Sequence, residues 1–126
     1  MKTGSLLIRS GEEGYYAEAP RLGADYDLVV VILAYPTVDD AVHRPVFAQG
    51  SLATTDYALM VELYDGNWVL NNGPSVAASL NAWNLIVCKY DADGNMSIAV
   101  NGGAPASASA ASYDSLTDED FYIGGS

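Results

Sequence analysis

No stretch of this chain carries apolar residues at helical spacing. The apolar runs are short, rich in Val, Ile, Leu and Tyr, and broken every few residues by Gly, Asn, Asp or Pro. That pattern predicts an all-β chain, a sandwich or barrel whose strands bury alternate side chains. Strands are predicted near Leu6–Arg9, Tyr15–Glu18, Leu28–Tyr35, Val46–Gln49, Tyr57–Tyr64, Trp68–Asn71, Trp83–Tyr90, Met96–Asn101 and Phe121–Ile123. At 126 residues, with half of them hydrophobic, the chain has the length of one domain and enough apolar side chains for a core. No linker or repeat divides it, so residues 1–126 read as a single β-sandwich domain.

Two hairpins can be registered from sequence. Asp65-Gly66 between two strand patterns signals a two-residue turn. Pairing outward sets Tyr64 against Asn67, Leu63 against Trp68, Glu62 against Val69 and Val61 against Leu70. Alternation then places Leu59, Val61, Leu63, Trp68 and Leu70 on the core face, and Met60, Glu62, Tyr64, Asn67 and Asn71 on the other. In the second hairpin, Asp91-Ala92-Asp93-Gly94-Asn95 forms the turn, with Gly94 in the left-handed region. Tyr90 then faces Met96, Cys88 faces Ile98, and Ile86 faces Val100, an apolar set directed at the core. The opposite face pairs Lys89 with Ser97, Val87 with Ala99, and Leu85 with Asn101.

That opposite face is half apolar, and Leu28 to Leu33 is apolar on both faces. Strands with two apolar faces need two covers: one is the opposing sheet, the other a loop or another chain. Ala104 to Ser112 reads as a loop or a small-residue edge strand, and Asp114 to Asp120 as an acidic loop.

The C-terminal half has a layout that carries a resemblance. Trp83-Asn84-Leu85-Ile86-Val87-Cys88-Lys89-Tyr90-Asp91 is followed by Gly94-Asn95, then Ser97-Ile98-Ala99-Val100-Asn101-Gly102, and later Phe121-Tyr122-Ile123-Gly124-Gly125. Pro45 to Ser51 fits the strand before the central hairpin. Over roughly residues 28 to 126 the order and spacing resemble the concanavalin A-like (laminin G-like) jelly-roll family. The resemblance implies a two-sheet antiparallel jelly-roll sandwich and puts Trp83 at a strand entrance, mostly buried like Trp68. It also implies one more closing strand after Ile-Gly-Gly, which this sequence does not show. The N-terminal part, or a neighbouring chain, is expected to supply it, because an open sheet edge invites aggregation.

Charge narrows the partners. Sixteen acids against five bases give a net charge of −11, which excludes an electrostatic nucleic-acid binder and disfavours an anionic membrane surface. The longest apolar run, Leu28 to Ala34, is too short to span a bilayer, and the N-terminus has no signal-peptide core. Localisation is otherwise left open.

No catalytic constellation is expected. Glycoside hydrolases of the resembled superfamily use a Glu-x-Asp-x-Glu strand, with acid and nucleophile on one face; here Glu62 stands alone on its strand. Glu12-Glu13 and Asp118-Glu119-Asp120 read as solvated loops. His43, the single histidine, and Cys88, the single cysteine, lie on different elements with no triad pattern. They read as a polar loop residue and a buried small hydrophobe. One cysteine also excludes an intrachain disulfide. No cofactor is expected. Calcium is the one metal to weigh, at Asp91, Asp93 and Asn95, or at Asp39-Asp40. The bidentate Glu of an EF-hand is missing, however, and a tight hairpin turn accounts for Asp91 to Asn95.

These readings favour a non-enzymatic structural or adhesive module of a larger assembly, such as a phage virion surface, decoration or tail protein. The chain would contact copies of itself or a larger protein partner through an open sheet edge or the Leu85, Val87, Ala99 face. The second reading is a carbohydrate-binding, lectin-like module using Tyr15, Tyr16, Tyr57, Tyr64, Asn67, Asn71 and Asn72. A degenerate glycoside hydrolase is the third.

Overall fold

A computed structural model describes residues 15–17, 28–51, 56–91, 93, 95–109 and 121–123. Among them there is no helix, hence none long and apolar enough to cross a membrane. Ten strands form two antiparallel sheets: β1 (Tyr15–Ala17), β2 (Leu28–Ala34), β3 (Arg44–Ser51), β4 (Asp56–Tyr64), β5 (Asn67–Leu70), β6 (Ser75–Ala77), β7 (Asn84–Tyr90), β8 (Asn95–Val100), β9 (Ala106–Ser109) and β10 (Phe121–Ile123). One sheet has six strands, in the order β1-β10-β3-β4-β5-β6; the other has four, in the order β2-β7-β8-β9. The expected strand at Leu6–Arg9, the loops at Glu12-Glu13 and Asp114–Asp120, Gly94, and the Gly124-Gly125 continuation lie outside the described residues. So do the side chains of Tyr15, Tyr16, Tyr57 and Leu59.

Both hairpin registers are observed as read. Val61 faces Leu70, Leu63 faces Trp68 and Tyr64 faces Asn67; Ile86 faces Val100, Cys88 faces Ile98 and Tyr90 faces Met96. Asp65 and Gly66 both have positive φ, 48° and 70°, the conformation of a type I′ turn. Gly66 is doubly suited, since a Cβ there would come within 2.8 Å of the Asp39 carboxylate. The core lies between the sheets. Val61, Leu63, Trp68 and Leu70 of the larger sheet meet Ile86, Cys88, Tyr90, Met96, Ile98 and Val100 of the smaller one.

Polar bonds also tie the layers together. The Trp68 indole Nε1–H donates to Asn84 Oδ1 at 3.1 Å, and Asn71 Nδ2 donates to the Tyr90 hydroxyl. Asn84, 0% exposed, makes further bonds to the β6–β7 connection. Its Oδ1 accepts from Ser79 N–H, and its Nδ2 donates to the Ser79 and Ala82 carbonyls, each at 2.8 Å.

Two expectations change, one open alternative is decided and one strand is new. Trp83 is not buried: it is 62% exposed. It precedes a strand whose inward residues are Asn84, Ile86, Cys88 and Tyr90, so alternation itself directs Trp83 outward with Leu85. Met60 and Glu62, expected on the face away from the core, are buried, Glu62 beneath the His43 ring. Ser75–Ala77 is a strand, and Ala106–Ser109 takes the edge-strand alternative, pairing with β8. Finally, β10 is flanked by β3 and by the N-terminal strand β1.

Candidate docking face

The outer face of the four-stranded sheet is where apolar side chains find no cover. The registers align them in rows. Val29, Lys89, Ser97 and Ser107 cross all four strands; Val31, Val87 and Ala99 form the next row; Leu33 and Leu85 form the third. Val29, Val31 and Leu33 are each more than half exposed, and Leu85 is exposed too. Val87 and Ala99, expected at the centre of an assembly face, are half-buried by their neighbours. The cause is plain in the sequence: Leu28–Leu33 and Leu85–Val87 alternate apolar with apolar, so whichever set points inward, the other is left outside.

One end of this face is an aromatic corner. Tyr35 and Trp83 meet edge to face, with ring centroids 5.5 Å apart and planes at 73°. Two bonds fix the corner to the β6–β7 connection. The Tyr35 hydroxyl donates to the Asn81 carbonyl at 2.8 Å, and Asn81 N–H donates to the Pro36 carbonyl at 2.8 Å. The opposite end is a hollow of about 370 Å³ whose lining includes Val29, Lys89, Asp91, Met96, Ser97 and Ser107. Lys89 is the one charged side chain in the three rows, and among the described residues it has no ion pair. The described loop acids, Asp39, Asp40, Asp65, Asp91 and Asp93, sit beyond the strand ends, so the face is nearly uncharged on an acidic protein.

The candidate ligand-binding residues are dispersed. Backbone pairing places Tyr15 and Tyr16 on β1 opposite Ile123 and Tyr122, and Tyr57 on β4 opposite Gly50. Tyr64 is half-buried and stacked on the His43 ring, centroids 4.3 Å apart. Asn67 Nδ2 donates to the Asp65 carbonyl within the turn. Asn71 is engaged inside the sandwich, its Oδ1 accepting from Met60 N–H. Asn72, exposed with positive φ, follows it.

The candidate calcium loop is an Asx-capped turn. Asp91 Oδ1 accepts from Asp93 N–H at 3.0 Å and Asn95 N–H at 2.9 Å, and Oδ2 accepts from Asn95 Nδ2 at 2.9 Å. Those bonds, the Asn95 side chain first, hold the Asp91 carboxyl below the usual carboxylate range. At the second candidate, Asp40 is clasped by Arg44 through both guanidinium bonds, 3.2 and 2.7 Å. Its carboxyl is likewise lowered, chiefly by that hydrogen bond. Among the described residues no three His, Cys, Asp or Glu side chains cluster as metal ligands.

A contact the sequence did not reveal joins His43 to Glu62. His43 Nδ1 lies 2.8 Å from Glu62 Oε2, across 19 residues of sequence. Glu62 is 1% exposed, and its Oε1 has no hydrogen-bond partner. The pair pins the Pro36–His43 segment onto β4, as does the bond from Asp65 N–H to the Asp40 carbonyl. Cys88 is free and buried, and burial pushes its thiol up to about 12.

The aromatic corner was also missed, although the signal was available: once Ile86, Cys88 and Tyr90 are inward, Trp83 must point out. Comparison with known proteins finds no family model and no curated protein that matches this chain.

Proposed function

We propose that this chain is a non-enzymatic structural module with concanavalin A-like jelly-roll topology. In this reading it assembles with copies of itself or a larger protein partner through the outer face of its four-stranded sheet. The observation that carries this reading is the row structure of that face. Val29, Val31, Leu33, Leu85 and the Tyr35–Trp83 corner form one continuous apolar surface. The exposed parts of these side chains come to roughly 600 Å², at the top of the range of about 300–600 Å² for the largest patch of an ordinary monomer. The buried state of Glu62 supports the non-catalytic part. A carboxyl closed under His43 and shut off from solvent cannot reach a glycosidic oxygen.

The test is sedimentation velocity at low and high salt, on the wild type and on Val87→Lys. Association is expected to strengthen as salt screens the repulsion of a chain carrying −11, and to weaken in the variant. A soluble monomer at high concentration in both salts, unchanged by the substitution, contradicts the reading.

A carbohydrate-binding role is the second reading, and the Tyr35–Trp83 corner favours it. An exposed indole held rigid beside a second ring offers the flat apolar surface on which the C–H face of a sugar stacks. A glycan array on wild type and Trp83→Ala separates the two: glycan binding lost in the variant, by a chain that stays monomeric, supports the lectin-like reading.

A further inference from the structure

The geometry points to a specific occupant of the outer face: a second copy of this chain, docked face to face so that Trp83 of each copy seats in the Lys89 hollow of the other. This inference rests on the assembly reading above and names its partner.

The two ends of the face are complementary. One carries an exposed aromatic pair, the other a concavity of about 370 Å³ lined by Lys89, which has no ion pair among the described residues. On β7, Trp83 and Lys89 stand equally far from Ile86; on β2 and its extension, Tyr35 and Val29 stand equally far from Ile32. Ile32 and Ile86 are themselves paired. A two-fold axis lying in the interface and crossing the strands at this pair therefore exchanges the two ends. It sets Trp83 over Lys89 of the second copy, Leu85 over Val87, Tyr35 over Val29, and Leu33 over Val31. On β2 and β7 apolar side chains meet apolar ones, and the single cation of each face meets an indole, the preferred aromatic partner of an ammonium.

The alternatives match less well. An axis along the strands lays the β2 valines over the outward serines of β9, Ser107 and Ser109. Pairing through the β2 edge extends the sheet but leaves its apolar face in water.

Area and charge favour a second copy over an unrelated partner. With Val87, Ala99 and the Lys89 stem added to the exposed apolar patch, the face approaches the roughly 800 Å² that each partner gives to a standard interface. The contact is isologous, as two-fold dimers require. A chain carrying −11 repels its own copies, whereas the three rows of this face hold no acidic side chain, and the described acid nearest them, Asp91, lies at the rim of the hollow.

The test is disulfide trapping with sedimentation. Leu85→Cys and Val87→Cys variants are prepared separately and mixed under mild oxidation. Native Cys88 is buried and stays out of the reaction. The mixture is expected to form cross-linked heterodimer faster than either variant alone forms homodimer, because position 85 faces position 87 across the axis. Trp83→Ala is expected to raise the dimer Kd by about thirty-fold, the loss of a buried aromatic anchor, and Lys89→Glu to raise it too.

If the wild type self-associates and Val87→Lys prevents it, but the mixture cross-links no faster than the single variants, this docking geometry is overturned and the assembly reading stands. If no self-association occurs at either salt, the dimer is overturned as well.

Discussion

Asn84 is the point at which the two sheets are locked, and its replacement by Ala should be among the costlier single changes away from the apolar core. Its amide serves four partners: the Trp68 indole N–H across the sandwich, and Ser79 N–H, Ser79 C=O and Ala82 C=O in the β6–β7 connection. The freed Ser79 and Ala82 backbone groups lie near the surface, where water can replace much of what they lose. The indole N–H cannot be rehydrated, because Trp68 is 1% exposed. Four bonds at a net ~0.5–1.5 kcal/mol each, with only the indole left unsatisfied, put Asn84→Ala at about 3 kcal/mol. Trp68→Phe keeps most of the ring and removes the N–H, for about 1–2 kcal/mol. The two changes share one bond, so the double variant should cost about 1 kcal/mol less than the sum of the singles. Urea denaturation followed by far-ultraviolet circular dichroism measures all four corners of the cycle. A coupling energy within about 0.3 kcal/mol of zero, the limit of ordinary additivity, would refute the inter-sheet role.

Three further outcomes are expected. Cys88 should react with a thiol reagent only as fast as the protein unfolds. Its raised pKa contributes stability that is complete below pH 9.0 and lost as pH rises towards about 12, since only the unfolded thiol ionises in that window; the alkaline fall in stability should therefore be shallower in Cys88→Ala, and equal slopes would argue against the burial. Arg44→Gln should move the Asp40 carboxyl up toward its ordinary value in an NMR titration; in the wild type that group stabilises the fold above its normal pKa and ceases to do so as pH falls through its lowered one. Glu62→Gln should shift the melting temperature by less than about 5 °C, because the amide keeps the contact with His43 Nδ1 and leaves one polar atom unpaired, as Oε1 is among the described residues; a larger fall, roughly 1 kcal/mol or more at this size, would show that the carboxyl group itself is needed.

The elements that rest on local rules were legible in the sequence. Asp65-Gly66 announces its own turn type, and period-two alternation then dictates every pair from Tyr64–Asn67 to Val61–Leu70. The same logic sorted Ile86, Cys88 and Tyr90 inward, and it also directs Trp83 outward. The expectation of a buried Trp83 came from a family pattern that conflicted with that register, and the register prevailed. β6 escaped notice because Ser75-Val76-Ala77 is too short to show alternation. Glu62 illustrates the other limit: its burial depends on His43 arriving from 19 residues away, a tertiary contact that no strand pattern encodes. The docking face was half legible. Leu85, Val87 and Ala99 were visible as an uncovered set, and Leu28–Leu33 as a run with one face too many. Joining them required the β2–β7 pairing, which brings together residues almost sixty positions apart.

The central claim, that the outer face of the four-stranded sheet is a docking face, is tested most directly at Trp83 itself. The chain has two tryptophans, so Trp68→Phe leaves Trp83 as the only one. Acrylamide quenching of its fluorescence can then be followed as protein concentration and salt are raised. The account predicts that quenching, efficient in dilute solution at low salt, falls several-fold as the face becomes covered, and that Val87→Lys restores it. Quenching that stays at its dilute value across the whole range, in the parent and in the Val87→Lys variant alike, would contradict it.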